Sequence, residues 1–247
     1  MNASTRRSDV IVALGAGRMG RGIATAFAYA GHEVRLVDVK PRAREAVEAL
    51  RAEALAEIDA SLRAMADWGA FDDALRPQVL RRVRFVGRDG ASDALARADF
   101  VFEGVPEVID AKREALAFAG VHARAGAVIA STTSTFLVTQ LAAFVERPQR
   151  FLNAHWLNPA HVVPLVELSP HEATVPEATR SLQALLESIG KVPVVCAAAP
   201  GYIVPRLQSL IMNEAARMIE QGVASAEDID RATRYGLGFR FANIGVV

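Results

Sequence analysis

The sequence predicts an α/β protein with a doubly wound, mostly parallel sheet, followed by a small, incomplete all-helical C-terminal domain. Between residues 10 and 196, short apolar runs rich in β-branched residues alternate with helical segments. This alternation is typical of parallel strands that are buried on both faces. A glycine-rich loop joins the first apolar run to the first helix, and from residue 199 onwards only helical patterns follow.

The first strand and its loop predict a dinucleotide site of the Rossmann type. Val10–Leu14 is apolar throughout and leads into G-A-G-R-M-G. Gly15 permits a tight turn, Gly17 lets the backbone approach a pyrophosphate, and Gly20 lets the helix pack close to the strand. The helix N-terminus adds unpaired N–H donors for the phosphates. The residues expected to bind the cofactor here are Gly15, Gly17, Arg18, Met19 and Gly20.

Asp38 follows the second strand and lies 18 residues beyond Gly20. An acidic residue at about this distance accepts hydrogen bonds from the adenosine ribose of a dinucleotide. Its charge also repels a 2′-phosphate, so the sequence predicts NAD as the cofactor rather than NADP. Arg42 and Arg44 nearby leave NADP open as an alternative.

The other elements follow from hydrophobic periodicity and from the positions of glycine and proline. The predicted strands after the first are Val34–Val37, Val83–Val86, Phe100–Phe102, Val128–Ser131, Phe151–His155, Leu165–Leu168 and Pro193–Cys196. The predicted helices are Arg21–Ala30, about Pro41 to Met65, about Phe71 to Arg82, Val108–His122, Glu177–Ile189 and Val204–Gln221. The second and third of these helices form a charged excursion at 42–82.

A change of pattern near residue 199 predicts two domains, 1–198 for NAD binding and 199–247 for a helical, dimerisation-type domain. Pro200 and Gly201 end the strand pattern, and Ser225-x-x-Asp228 resembles a capping box that opens another helix. The second domain is too small to bury a core of its own.

Composition excludes several classes of protein. Lys+Arg and Asp+Glu number 28 each, so nothing favours a nucleic-acid or membrane-surface partner. The single cysteine, Cys196, argues against a disulfide framework or a cysteine-rich metal site, and we expect no metal. MNASTRRSD leads directly into the first strand and is not expected to be a signal sequence, and no apolar run reaches membrane-span length. These observations predict a soluble, cytoplasmic protein.

Three later segments carry chemistry-bearing side chains at predicted strand ends: S-T-T-S-T at 131–135, N-A-H-W-L-N-P at 153–159, and L-V-E at 165–167. Taken singly, a hydroxyl run is commonly a turn, and a lone histidine or glutamate is commonly structural. Together they fit the oxidation of a secondary alcohol with NAD, which needs a base to take the hydroxyl proton. His155 is the candidate base, Glu167 the carboxylate that orients it, and Ser134 a donor to the substrate oxygen.

In chain order, the segments GAGRMG with Asp38, FEGVPEVIDAK, STTST, NAHWLNP, PLVELSP and PGYIVPRL resemble the 3-hydroxyacyl-CoA dehydrogenase family, including its short-chain, 3-hydroxybutyryl-CoA members. The similarity runs from about Asp9 to Phe241. It implies oxidation of an L-3-hydroxyacyl-CoA to the 3-oxoacyl-CoA, or the reverse, within fatty acid metabolism. It also implies the roles given above for His155, Glu167 and Ser134, and contacts from Glu107 and Lys112 to the nicotinamide half of NAD.

Two departures from the family pattern keep alternatives open. Pro205 stands where the family usually has an asparagine of the catalytic set, and Asn213 lies too far along the helix to be an obvious replacement. The chain also stops where the family continues, so its C-terminal domain is expected to be truncated, with a homodimer if that domain is complete. Pro205 and Thr132 favour, as one alternative, a dehydrogenase of a small non-CoA 3-hydroxy acid of the carnitine or gulonate type. The other alternative is a non-catalytic, NAD-binding truncated form.

Overall fold

The computed structural model describes residues 9–247. Most of MNASTRRSD, on which the expectation about a signal sequence rests, lies outside the described residues. The chain forms two compact units, one that ends at Tyr202 and a second, Ile203–Val247. We keep the domains 1–198 and 199–247 as a proposal, with a boundary a few residues before this division.

The first unit is built on one eight-stranded sheet with the strand order β3-β2-β1-β4-β5-β6-β7-β8. All neighbouring strands are parallel except β6 and β7, which are antiparallel. The predicted fold class is therefore confirmed. The strands are β1 Ile11–Leu14, β2 Val34–Val37, β3 Val83–Val86, β4 Phe100–Glu103, β5 Val128–Ser131, β6 Phe151–Trp156, β7 Leu165–Pro170 and β8 Val192–Val195.

Helices connect most of the strands and pack on the two faces of the sheet. In the first unit they are α1 Arg18–Tyr29, α2 Arg44–Asp67, α3 Arg76–Leu80, α4 Ala91–Ala96, α5 Ile109–His122, α6 Val138–Ala142 and α7 Pro176–Ser188. Short 3₁₀ turns lie at Asp73–Leu75, Arg88–Gly90 and Pro148–Arg150. In the second unit the helices are α8 Val204–Glu220, α9 Ala226–Ala232 and α10 Gly238–Ile244, with a π-helical turn at Thr233–Leu237.

The hydrophobic core lies on both faces of the sheet. In β1, Ile11 and Ala13 point into one apolar cluster while Val12 and Leu14 point into the other, because successive side chains of a strand alternate between faces. All four residues are buried. The unbroken apolar run that predicted a central strand therefore reflects burial on two sides.

Helix boundaries differ by three residues or more from those predicted in three places. Helix α1 begins at Arg18 rather than Arg21, so that its first turn follows Gly17 directly. Helix α2 begins at Arg44 and not near Pro41, since Ala43 is still extended. The helix predicted at about 71–82 was wrong in length: Asp72 caps a 3₁₀ turn through the backbone N–H of Ala74, and only Arg76–Leu80 is α-helical.

The second unit consists of helices, as its sequence pattern predicted. The N-cap of α9 is Ser225, whose Oγ accepts a hydrogen bond from the backbone N–H of Asp228 at 3.1 Å. Large apolar side chains of this unit, such as Leu210, Met212 and Phe239, are exposed. Within residues 9–247, none of the helices combines the length and the apolarity that a membrane crossing requires.

Candidate active site

The predicted site residues gather at one edge of the sheet, because the carboxyl ends of parallel strands share an edge. Strand order reverses between β1 and β4, and in open α/β sheets ligands bind in the crevice at such a switch point. The loops after these two strands approach each other closely at Gly15 and Gly104. Gly15 has a φ of +113°, and a Cβ on it would come within 2.8 Å of the carbonyl oxygen of Gly104. Only glycine fits at this position.

The crevice contains a cavity of about 460 Å³ that is lined by the glycine loop, Asp38, Glu107 and Ser134. Gly17 faces open space, since a Cβ there would meet nothing within 4 Å. No side chain caps the N-terminus of α1, so no capping residue occupies its first N–H groups, and the residues of this turn line the cavity. Four residues of the glycine motif line this cavity: Gly15, Gly17, Arg18 and Met19. Gly20 does not, and a Cβ on it would come within 1.9 Å of the carbonyl oxygen of Gly15.

Asp38 lies at the same cavity, at the end of β2, and is buried. Its carboxylate accepts a hydrogen bond from Nε of Arg42 at 2.6 Å and a longer one from the backbone N–H of Lys40 at 3.4 Å. A second cavity of about 290 Å³ adjoins it, with apolar lining from Val39, Val105 and Phe118. A carboxylate beside a largely apolar cavity is suited to bind the ribose and the base of an adenosine.

The same cavity is also lined by Glu107 and Lys112, which belong to a charged network in which Lys112 is buried and Glu107 is partly exposed. Lys112 is only 1% exposed, and its Nζ lies 3.0 Å from Oε1 of Glu103, 3.3 Å from Oε2 of Glu107 and 3.3 Å from the carbonyl oxygen of Val105. Glu103 also accepts hydrogen bonds from the Oγ of Ser131 and the N–H of Val105. Burial raises the pKa of Glu103, while the charge of Lys112 and these donors oppose the rise.

Glu107 holds the hydroxyl-rich loop that follows β5. One carboxylate oxygen, Oε1, accepts hydrogen bonds from the hydroxyls of Thr133 and Thr135 and from the backbone N–H groups of Ser134 and Thr135. Partial burial pushes the pKa of Glu107 up, but these bonds and the Lys112 charge outweigh it, so the pKa lies below its usual value. Ser134 is exposed and lines the cavity.

His155 and Glu167 face each other across the antiparallel strands β6 and β7. Nδ1 of His155 lies 2.8 Å from Oε2 of Glu167, and the two side chains are 8% and 1% exposed. Because a carboxylate can only accept, the proton of this bond belongs to Nδ1, and Nε2 is the ring nitrogen left for a substrate. The structure thus joins two candidate residues that lie 12 positions apart in sequence.

The sequence analysis missed two residues that surround this pair, Asn153 and Tyr202. The Tyr202 ring stacks on the His155 imidazole at a centroid distance of 4.8 Å, and its hydroxyl bonds to Asn153. The strand period of two places Asn153 on the same face as His155, a signal that could have found it. Nothing local in the sequence indicates that Tyr202, 47 residues further on, returns to this place.

Two other residues discussed in the sequence analysis, Pro205 and Asn213, lie in helix α8. Pro205 lies in the first turn of α8, where proline is tolerated, and Asn213 is exposed further along that helix. Among the described residues, no cluster of three or more histidine, cysteine or acidic side chains is arranged to hold a metal ion.

Comparisons with known proteins identify the family. Residues 10–199 match the family model "3-hydroxyacyl-CoA dehydrogenase, NAD binding domain", and residues 201–247 match "3-hydroxyacyl-CoA dehydrogenase, C-terminal domain". The chain is 33% identical over 236 residues to 5-formyl-3-hydroxy-2-methylpyridine 4-carboxylate 5-dehydrogenase of Mesorhizobium japonicum, covering 95% of this chain and 72% of the relative. It is 35% identical over 237 residues to L-carnitine dehydrogenase of Pseudomonas aeruginosa, covering 94% and 69%.

A solved structure supports the same family assignment. The crystal structure of (S)-3-hydroxybutyryl-CoA dehydrogenase from Ralstonia eutropha superposes with a TM-score of 0.83 at 31% identity, covering 94% of this chain and 78% of that one. The fold and the NAD cofactor inferred from the glycine loop and Asp38 agree with these matches. The chain belongs to the 3-hydroxyacyl-CoA dehydrogenase family of NAD-dependent oxidoreductases that act on CH–OH groups.

Proposed function

We propose that the chain oxidises an L-3-hydroxyacyl-CoA to the 3-oxoacyl-CoA, or catalyses the reverse reaction, with His155 as general base. The observation that carries this proposal is the buried bond of 2.8 Å between His155 and Glu167 at the edge of the sheet that also holds the glycine loop. A histidine paired in this way has a fixed tautomer and one ring nitrogen free for proton transfer.

In the oxidation direction, Nε2 of His155 takes the proton of the 3-hydroxyl group. The positive charge that forms on the imidazole is stabilised by the Glu167 carboxylate, which keeps accepting from Nδ1–H. When bound, NAD supplies the acceptor for the hydride that leaves C3. In the reduction direction, the imidazolium returns the proton to the developing alkoxide at the same oxygen.

Ser134 is the second contact that we assign to the substrate oxygen. Its hydroxyl donates a hydrogen bond to that oxygen and so holds it for proton transfer to His155. Its backbone N–H is bonded to Glu107, which in turn contacts Lys112, so the loop is fixed by a network anchored in β4 and α5. Glu107 then lies at the nicotinamide end of the cofactor site, where Lys112 acts through its contact with Glu107, while the glycine loop and Asp38 hold the pyrophosphate and the adenosine.

The direct test is acetoacetyl-CoA-dependent oxidation of NADH, measured for the wild-type chain and for His155→Ala. We expect turnover in the wild type and a loss of about 10²- to 10⁴-fold in the variant, the contribution typical of a general base. Absence of turnover in the wild type, or equal turnover in the variant, would refute the proposal.

A second candidate is a dehydrogenase of a small 3-hydroxy acid without CoA. It is favoured by the similarity to relatives named L-carnitine dehydrogenase and 5-formyl-3-hydroxy-2-methylpyridine 4-carboxylate 5-dehydrogenase, and by Pro205 and Thr132 in positions where the main family tends to have asparagine. Competition by free CoA separates the two candidates. Inhibition of turnover by CoA supports the acyl-CoA substrate, whereas turnover of L-carnitine or L-gulonate that CoA does not affect supports the second candidate.

We further propose that the second unit, Ile203–Val247, takes part in forming a homodimer. The support is its exposed large apolar side chains, since apolar patches of this kind commonly mark interfaces. Size-exclusion chromatography with light scattering tests this: a monomer at all concentrations up to about 100 μM would refute it. An inactive but NADH-binding monomer would instead support the non-catalytic alternative.

A further inference from the structure

Tyr202 has a strained backbone next to the candidate base. Its φ is +46°, in the left-handed region that residues other than glycine rarely adopt, and it directly follows Gly201, whose φ is +77°. The side chain is nevertheless 7% exposed and well bonded. Residues held in sparsely populated backbone regions persist where the surroundings fix them, and such residues cluster at functional sites.

The aromatic ring of Tyr202 packs flat on His155. The two rings are 4.8 Å apart between centroids and only 10° from parallel. His155 is therefore held by two contacts of different direction: the bond from Nδ1 to Glu167 lies in the plane of the imidazole, and the stack lies perpendicular to that plane. Together they restrict both the tilt and the rotation of the imidazole, which fixes where Nε2 points.

The hydroxyl group of Tyr202 links β6 to the loop that carries Ser134. It accepts a hydrogen bond from Nδ2 of Asn153 at 3.0 Å and donates one to the carbonyl oxygen of Thr133 at 2.9 Å. Asn153 lies two residues before His155 on the same strand, and Thr133 immediately precedes Ser134. Burial raises the pKa of Tyr202 above its usual value, so the hydroxyl keeps its proton and continues to donate at neutral and moderately alkaline pH.

We propose that Tyr202 is a positioning residue that sets the His155 imidazole and the Ser134 loop at the separation the reaction needs. The ring acts on the base and the hydroxyl acts on the loop, so one side chain fixes both groups that the proposed function places on the substrate oxygen. This inference rests on that function. A misplacement of a reacting group by about 1 Å can slow an enzyme by about 10²-fold.

Two variants separate the parts of the side chain, and a third serves as the control. Tyr202→Phe removes only the hydroxyl, and Tyr202→Leu removes the stacking ring as well. Tyr29→Phe is the matched control, because the Tyr29 hydroxyl also donates to a backbone carbonyl, that of Ala70, but on the exposed side of α1. We expect kcat to fall about 10-fold in Tyr202→Phe and about 100-fold in Tyr202→Leu, with no change in Tyr29→Phe.

The dissociation constant for NADH distinguishes positioning from a general structural role. We expect it to stay within about twofold of the wild-type value in Tyr202→Phe, whose melting temperature should also be close to that of the wild type. Wild-type kcat in both Tyr202 variants would overturn the inference, as would a parallel loss of NADH affinity and kcat. His155→Ala, measured beside them, keeps the two proposals apart: wild-type activity in His155→Ala refutes the proposed function, whereas loss in His155→Ala with full activity in the Tyr202 variants refutes only the role of Tyr202.

A spectroscopic measurement tests the stack without relying on activity. A proton above an aromatic face is shifted upfield by the ring current, so the His155 ring protons should be shifted upfield in NMR spectra of the wild type and of Tyr202→Phe. In Tyr202→Leu they should move back downfield. Identical His155 shifts in all three proteins would contradict the stack that the inference requires.

Discussion

The Lys112–Glu103 pair and the His155–Glu167 pair lie at the same edge of the sheet and are both buried, yet their hydrogen bonds differ. Nζ of Lys112 contacts two carboxylates and one backbone carbonyl, so its donors are satisfied from within the protein. Nδ1 of His155 is bonded to Glu167, whereas Nε2 lies on the opposite side of the imidazole ring. In the first pair every donor of Lys112 is used within the protein, so we call this pair closed. In the second, only Nδ1 of His155 is used by the pair, which leaves Nε2 for the substrate that we propose.

This difference predicts a structural role for the first pair and, under the proposed function, a chemical role for the second. A buried ion pair whose partners are fully bonded gives little net stability over an apolar pair, but it is strongly destabilising to break, since one charge is then left buried alone. In contrast, a buried pair with a remaining proton site can do acid–base chemistry. Substitutions in the two pairs should accordingly affect different measurements: Lys112 should govern stability, and Glu167 should govern turnover.

The largest effect is expected for Glu167→Gln. The amide keeps the shape of the side chain but removes the charge that stabilises the imidazolium, so kcat should fall by about 10²- to 10⁴-fold. The dissociation constant for NADH should not change, because Glu167 does not line the cofactor cavity. Steady-state kinetics with fluorescence titration of NADH measure both quantities. Glu172→Gln, on the exposed turn after β7, is the control, and equal activity in the two variants would remove the distinction between the pairs.

Lys112→Met should instead lower the free energy of unfolding by about 3–5 kcal/mol, because Glu103 would remain buried without its cation. Chemical denaturation followed by circular dichroism measures this change. The control is Arg113→Met, since the neighbouring Arg113 pairs with Asp110 at the surface and should contribute no more than about 1 kcal/mol. A loss below about 1 kcal/mol in Lys112→Met would show that the pair is not the closed, charged unit described above.

A smaller effect is expected from another buried cation, Lys191, whose Nζ donates to the carbonyl oxygens of Ala160 and Val163 instead of a carboxylate. Burial lowers its pKa to about 8 from 10.5 in the unfolded chain. Between these values the unfolded chain binds more protons than the folded chain, so the free energy of unfolding should rise as the pH increases from 8 to 10.5. The two carbonyl acceptors offset part of the desolvation of Nζ, so the rise should be on the order of 1 kcal/mol.

Denaturation curves at pH 7.5, 9 and 10.5 measure this rise. Lys191→Met cannot titrate, so its unfolding free energy should increase less over the same range than that of the wild type. If the variant and the wild type show the same dependence on pH, then Lys191 keeps its ordinary pKa in the folded protein, and burial without a carboxylate does not perturb a lysine at this place.

Most of the fold could be predicted from the sequence because its signals are local. The strands Val34–Val37, Val83–Val86 and Val128–Ser131 have the predicted bounds, since each is an apolar or half-apolar run between clear breakers. The segment at 71–82 was less predictable: its composition favours a helix, but Asp72 bonds the backbone locally and reduces the helix to Arg76–Leu80.

The candidate site was only partly predictable, for physical reasons. The glycine loop and Asp38 act through neighbouring residues, so short motifs describe them. Burial of Lys112 between two carboxylates depends on how α5 packs against β4, and no local pattern reports that. The stack of Tyr202 on His155 forms because the chain returns to this place after 47 residues. It also needs a left-handed backbone at Tyr202, which the sequence does not indicate because residues other than glycine rarely adopt it.

The most direct test of the central claim is the rate of hydride transfer in a single turnover, with NADH bound and acetoacetyl-CoA added, in the wild type and in His155→Ala. A single turnover isolates the chemical step from product release. If His155 is the proton donor and acceptor, this rate falls by about 10²- to 10⁴-fold in the variant, and added imidazole restores part of it. A rate in His155→Ala equal to that of the wild type would contradict the account.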